Sequence, residues 1–157
     1  MLDAGVKSPS IRIFTAVFAG LVLISAAFVG TAAAQDAPNA GDYGDIIDGM
    51  AGTGTADDPY QVTNVTELQA MAGDLNANYE LVSDIDASGT SSWNGGAGFA
   101  PLGNASTPFT GTFNGGGYRI SDLSIDRGGE SDVGLFGVND GTVKRTTVSG
   151  SVTGDES

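Results

Sequence analysis

Cysteine and histidine are both missing from this sequence, and the two absences remove most familiar site chemistry. Without cysteine there is no disulfide, no thiolate nucleophile and no thiolate-held metal. Without histidine the commonest general base and the commonest transition-metal ligand are gone. Basic residues are scarce: 6 Lys and Arg stand against 19 Asp and Glu, a formal net charge of −13. After residue 34 the bases are Arg119, Arg127, Lys144 and Arg145. Such a surface repels phosphate backbones, which excludes nucleic acid as a partner. Two physical readings of the acidity compete. One is a Lys-poor surface kept soluble in high salt, as in halophiles. The other is a set of oxygen-ligand Ca²⁺ sites, but no Asp-rich loop has calcium-loop spacing, so no metal site and no cofactor are assigned.

Long apolar runs are also rare, with one exception at the start. Lys7 and Arg12 form a positive n-region, Ile13 to Val29 runs without a charge, and Ala32-Ala33-Ala34 follows as a small-residue cleavage site. Residues 1–34 are therefore read as a signal peptide, or as an N-terminal membrane anchor through 13–34 if uncleaved. Either way the remainder is expected outside the cytoplasm, secreted or at the cell surface. Residues 35–51, rich in Asp, Ala and Gly, are read as a flexible acidic linker. Asn64, with Glu67 three residues on, marks the start of one short helix whose apolar face is Val65, Leu68, Met71 and Ala72.

What is abundant is glycine, 25 residues, and it falls between apolar pairs where a chain would turn. Thr110-Gly111-Thr112-Phe113 is answered by Val133-Gly134-Leu135-Phe136, and Ile120-Ser121-Asp122-Leu123-Ser124-Ile125 by Val143-Lys144-Arg145-Thr146-Thr147-Val148. Both pairs share one spacing of 23 residues, from Gly111 to Gly134 and from Ile120 to Val143. An earlier copy, Val82-Ser83-Asp84-Ile85-Asp86-Ala87, precedes a glycine-rich insertion over 88–107. Repeats of this length bury their apolar faces against one another. The expected fold is all-β: a short right-handed parallel β-solenoid (β-helix) over 52–157 with one short N-terminal capping helix. The register places Val82, Ile85, Ile120, Leu123, Ile125, Val143 and Val148 inward, Phe113 above Phe136, and Asp122 between Asp84 and Arg145 on the outer face.

Residues 133–154, from Val133-Gly134-Leu135-Phe136-Gly137 through Asn139-Asp140-Gly141 to Val148-Ser149-Gly150-Ser151-Val152, resemble one copy of the GLUG repeat. Gly54-Thr55 with Asp58-Pro59-Tyr60, then Asp84-Ile85-Asp86, then Phe109 to Ile120, resemble the region preceding such repeats in large exported proteins. Phe136 stands where that motif has a smaller apolar residue. The resemblance implies a right-handed β-helix of an adhesin-like surface protein and carries over no catalytic residue.

The candidate site residues are few. Asp84 and Asp86, with Asp122, Asp126 and Asp132, offer carboxylates suited to glycoside chemistry or Ca²⁺, yet without a basic partner or a cleft they read as a solvated face. No catalytic residue is assigned. Trp93, among Asn94-Gly95-Gly96, is the weak candidate for stacking on a sugar; the plainer alternative folds it back over an apolar edge. Asn104-Ala105-Ser106 and Asn64-Val65-Thr66 are glycosylation sequons, and Asn104 is the better candidate because Asn64 is needed as a helix cap. The function expected is an exported structural or adhesive cell-surface module, the N-terminal part of a longer repeat protein, with extracellular protein or glycan partners. The alternative is a carbohydrate-active enzyme or sugar-binding module of β-helix type.

Overall fold

The computed structural model describes residues 36–155, so the segment read as a signal or anchor lies outside the described residues. Among the described residues no helix is long and apolar enough to cross a membrane. The first element of the described residues is a 3-10 turn, Ala40–Asp42, that runs into helix α1, Tyr43–Asp48. Strand β1 is Tyr60–Val62 and helix α2 is Val65–Ala70, extended by a 3-10 turn over Met71–Gly73. Then follow β2, Asn78–Leu81, β3, Ile85–Asp86, and a 3-10 segment, Ser88–Gly96. Strands β4, Thr112–Asn114, β5, Arg119–Asp126, β6, Thr142–Lys144, and β7, Thr147–Thr153, complete the order.

The strands form two small sheets, β1-β2-β4-β6 and β3-β5-β7, and every pairing within them is parallel. Parallel neighbours need long connections: β1 reaches β2 through α2, and each later strand reaches its neighbour through a strand of the other sheet. Tyr79 sits between Tyr60 and Phe113 in the first sheet, and Ile120 between Ile85 and Val148 in the second. Their inward side chains build one core in which Val62, Tyr79, Leu81, Phe113, Ile120, Leu123 and Ile125 are buried. The Tyr79 hydroxyl reaches the Asp74 carbonyl at 2.7 Å, so the buried phenol keeps a partner. Burial first, then the nearby Asp74 and Tyr60, raises its pKa far above that of a free tyrosine.

This architecture corrects the all-β β-solenoid with a single capping helix. The described residues hold two α-helices and three 3-10 segments beside the two sheets, a mixed α/β arrangement with no closed solenoid among them. Helix α1 and the 3-10 turn before it lie where the sequence reads as linker, and the 3-10 segment Ser88–Gly96 lies in the glycine-rich insertion. In the linker stretch Ile47 and Met50 are buried, and Tyr43 and Ile46 pack against the core. The helix expected at Asn64 does form. Asn64 Oδ1 accepts from the Glu67 N–H at 2.9 Å, while Glu67 Oε2 accepts from Thr63 N and Oγ1 at 2.7 and 2.8 Å. That is a capping box displaced by one residue on its return bond.

The register is also corrected. Ile120 pairs with Val148, not Val143, and Phe113 pairs with Val143, not Phe136. Ile85 lies opposite Ile120, where Val82 was expected. The paired residues are 30 apart at Phe113 and Val143, 28 at Ile120 and Val148 and 27 at Leu123 and Gly150, and two local distortions accompany the two later changes. Asp122 takes a left-handed φ of 57° at an irregularity in β5, and Arg145 takes a φ of 54° at the corner between β6 and β7. Facing the first distortion, Gly150 (φ 157°) has no room for a side chain, since a Cβ would lie 1.9 Å from the Leu123 carbonyl oxygen. Phe136 still reaches the core from its own loop. Its ring meets Phe109 at 4.9 Å and Phe113 edge-on at 5.6 Å.

Candidate functional site

The insertion between β3 and β4 is built on the core, and this decides the fate of the tryptophan. Gln69 of α2 is buried and clamps the segment by donating to the Ala100 carbonyl at 3.1 Å and accepting from the Ala100 N–H at 2.8 Å. Thr90, also buried, donates to the Ala87 carbonyl at 2.6 Å and accepts from Ser124 N at 2.9 Å. Between these anchors Trp93 is 1% exposed and stacked at 6.5 Å on Phe99. No face of its ring is open to a sugar, so the reading of Trp93 as a stacking platform is withdrawn. The plainer alternative describes it.

The carboxylates do not converge. Asp84 Oδ1 accepts from the Arg119 N–H at 2.8 Å, at the entry to β5. Asp86 pairs with Ser121 across the strands and accepts from Ser88 N at 2.9 Å. Hydrogen bonding from Ser88 holds its pKa below the usual carboxylate value. Asp122 sits in the β5 irregularity, and Asp126 and Asp132 are exposed. The expected outer column from Asp84 through Asp122 to Arg145 is absent, because Arg145 turns at the corner and donates to the Gly116 carbonyl at 3.1 Å. Among the described residues no three acidic side chains are placed to share a metal ion.

The outward face of the first sheet carries instead a polar row, Gln61-Glu80-Asn114-Lys144, set by the strand register. Asn114 Nδ2 donates to Glu80 Oε2 at 3.1 Å within it. Glu80, Asn114 and Lys144 of the row also line a groove with Pro59, Asn78 and Thr112. Cross-strand neighbours are about 4.8 Å apart, so this row is a regular array of hydrogen-bonding groups.

The last strands present a second surface. Every residue of β6 and β7 is exposed, and Val143, Val148 and Val152 are 39, 42 and 53% accessible. Val143 and Val148 were expected inward in stacked columns. They lie at the rim of the sheets, where the outer backbone groups of β6 and β7 have no strand beside them among the described residues. An edge of this kind is a template for further pairing. The sequence signal was available in the alternating Thr147-Val148-Ser149 and Ser151-Val152-Thr153, but alternation alone does not say which strand is outermost.

No family model matches the chain, and no solved structure matches it. Two curated proteins are similar to it. Halomucin of Haloquadratum walsbyi is 50% identical over 113 residues, covering 66% of this chain and 1% of that protein. A protein of Evansella cellulosilytica named as a Gly-rich membrane protein is 35% identical over 103 residues, covering 63% of this chain and 12% of that protein. The chain thus spans a small fraction of the length of the curated relatives it matches.

Proposed function

We propose that this chain is a structural segment of a cell-surface protein, working by presenting surfaces and not by catalysis. The observation that carries this reading is the similarity of about two thirds of the chain to segments of Halomucin and of a Gly-rich membrane protein. Physical features support it independently. The acids are dispersed and solvated, the aromatic candidate is in the core, and the polar row and the valine rim are open surfaces. Adhesion through those surfaces, and the resemblance of 133–154 to a GLUG repeat, belong to the same proposal. The strong excess of acid supports a salty exterior as the working medium.

The direct test is protease or membrane-impermeant biotin applied to intact cells that express the chain with its residues 1–34. Labelling without lysis is the expected result. Protection equal to that of a cytoplasmic control would remove the surface reading.

A further inference from the structure

Residues 87–118 carry no charged side chain, the longest uncharged stretch in a chain with 19 acidic residues. Part of that stretch faces solvent: Asn104 to Thr107 and Thr110 are exposed, as are Ser91 and Ser92. Elsewhere carboxylates hydrate the surface; here hydroxyls and carboxamides do so without charge. Near its middle is the sequon Asn104-Ala105-Ser106.

The loop is pinned at both ends by buried Leu102 and Phe109. It closes on itself through Asn104 N–H to the Thr107 carbonyl at 3.0 Å and Thr107 N–H to the Asn104 carbonyl at 3.1 Å. Asn104 Oδ1 accepts from Ser106 N at 2.9 Å, Thr107 N at 3.0 Å and Thr107 Oγ1 at 3.3 Å. All of the carboxamide's bonds therefore fall on its oxygen. Its Nδ2 makes no hydrogen bond among the described residues and is the atom a glycosyl group would take.

Asn64, the second sequon, is arranged in the opposite way. Its Nδ2 donates to Thr63 Oγ1 at 3.1 Å, and that hydroxyl in turn donates to the Glu67 carboxylate. Its Oδ1 caps α2, and Val65 and Thr66 are already inside the helix. A sugar on Asn64 would disturb the cap and sit beside a carboxylate. On the Asn104 loop, Thr107 and Pro108 share a groove with one acid, Asp74, whose Oδ1 accepts from the Asn76 N–H at 3.1 Å.

We propose that Asn104 is the N-glycosylated residue of this chain and that Asn64 is not. The glycan donor is a polyprenyl phosphate- or diphosphate-linked sugar brought by a membrane transferase. Asn104 Nδ2 attacks the anomeric carbon, a C–N bond forms and the anomeric C–O bond to phosphate breaks. The lipid phosphate leaves with the bonding electrons, and a carboxylate of the transferase takes the amide proton. The donor is anionic, so the uncharged stretch spares it the repulsion it would meet elsewhere on this surface. The transferred sugar hydroxyls then hydrate the surface that lacks charge.

The proposal rests on the surface reading above, since the donor is met only on export. The test uses the full chain purified from glycosylation-competent cells and digested before Asp. This separates Asn104, on residues 86–121, from Asn64, on residues 58–73. Mass spectrometry of intact peptides is expected to find most of the 86–121 peptide carrying added sugar mass and the 58–73 peptide without it. Asn104→Gln and Ser106→Ala should each abolish the modification, and Ser106→Thr should restore it. Unmodified 86–121 peptide from protein that external protease reaches would overturn the glycan and leave the surface reading standing. Unmodified peptide from protein released only by lysis would overturn both.

Discussion

At the scale of single residues, the polar groups that matter most are the buried ones. Gln69 and Thr90 are the buried polar side chains among the described residues, and each satisfies both a donor and an acceptor. Gln69→Leu keeps volume close to constant but leaves the Ala100 N–H and carbonyl without partners beside the core. Urea unfolding should show a loss of about 1–3 kcal/mol, the desolvation cost of unmet buried groups. Gln69→Glu, which retains an acceptor but no donor when ionised, should recover part of the loss only as pH falls. No change for Gln69→Leu would mean that this clamp does not hold the insertion. The clamp was invisible in the sequence, because nothing in Gln69 or Ala100 marks them as partners. Trp93 left two readings open for the same reason: its neighbours Asn94, Gly95 and Gly96 read as a flexible loop, and the contacts that bury it, as the plainer reading had it, come from elsewhere in the chain.

At the scale of elements, what was legible was what is local. The cap of α2 is written in Asn64 and Glu67, and the structure forms it, with the return bond of Glu67 shifted from Asn64 to Thr63. Strand positions were legible in part: Ile85, Ile120, Leu123 and Ile125 are buried as the i, i+3, i+5 apolar pattern suggested, while Val143 and Val148 are not. Register was not, because it depends on residues that break regularity. The loop between β5 and β6 already sets Phe113 and Val143 30 residues apart, and the left-handed turns at Arg145 and Asp122 shift the offset again without interrupting the apolar pattern. Helix α1 was missed because its only apolar signals are Tyr43, Ile46 and Ile47 in an Asp- and Gly-rich setting. The contrast between inner and rim strands gives a direct test. Leu123→Ala, at a site 1% exposed, should cost about 2–5 kcal/mol. Val148→Thr, at 42% exposure on β7, should change stability by no more than about 0.5 kcal/mol. Equal losses at the two positions in chemical denaturation would mean that β7 is covered in solution and is not a rim.

At the scale of the whole molecule, charge sets the conditions under which these elements stay together. Residues 36–155 carry 17 acidic and 4 basic side chains, and the one ion pair among the described residues joins Arg127 to Glu130 at 3.4 Å on the surface. Such a pair contributes about 0–1 kcal/mol, too little to offset repulsion among the remaining carboxylates. That repulsion acts over about 10 Å at 0.1 M salt and about 3 Å at 1 M, so screening should favour the folded form progressively across that range. The melting temperature should therefore rise from dilute buffer to molar chloride, and equally in sodium, potassium and choline chloride, because screening does not depend on the cation. Chloride is the proper anion, since sulfate would strengthen apolar burial whatever the charge. Stabilisation by micromolar Ca²⁺ in dilute buffer, with little further effect of molar salt, would instead favour the oxygen-ligand reading of the acids. A melting temperature indifferent to both would show that the carboxylates are too well hydrated and too far apart to strain the fold, and the high-salt reading of this surface would fall.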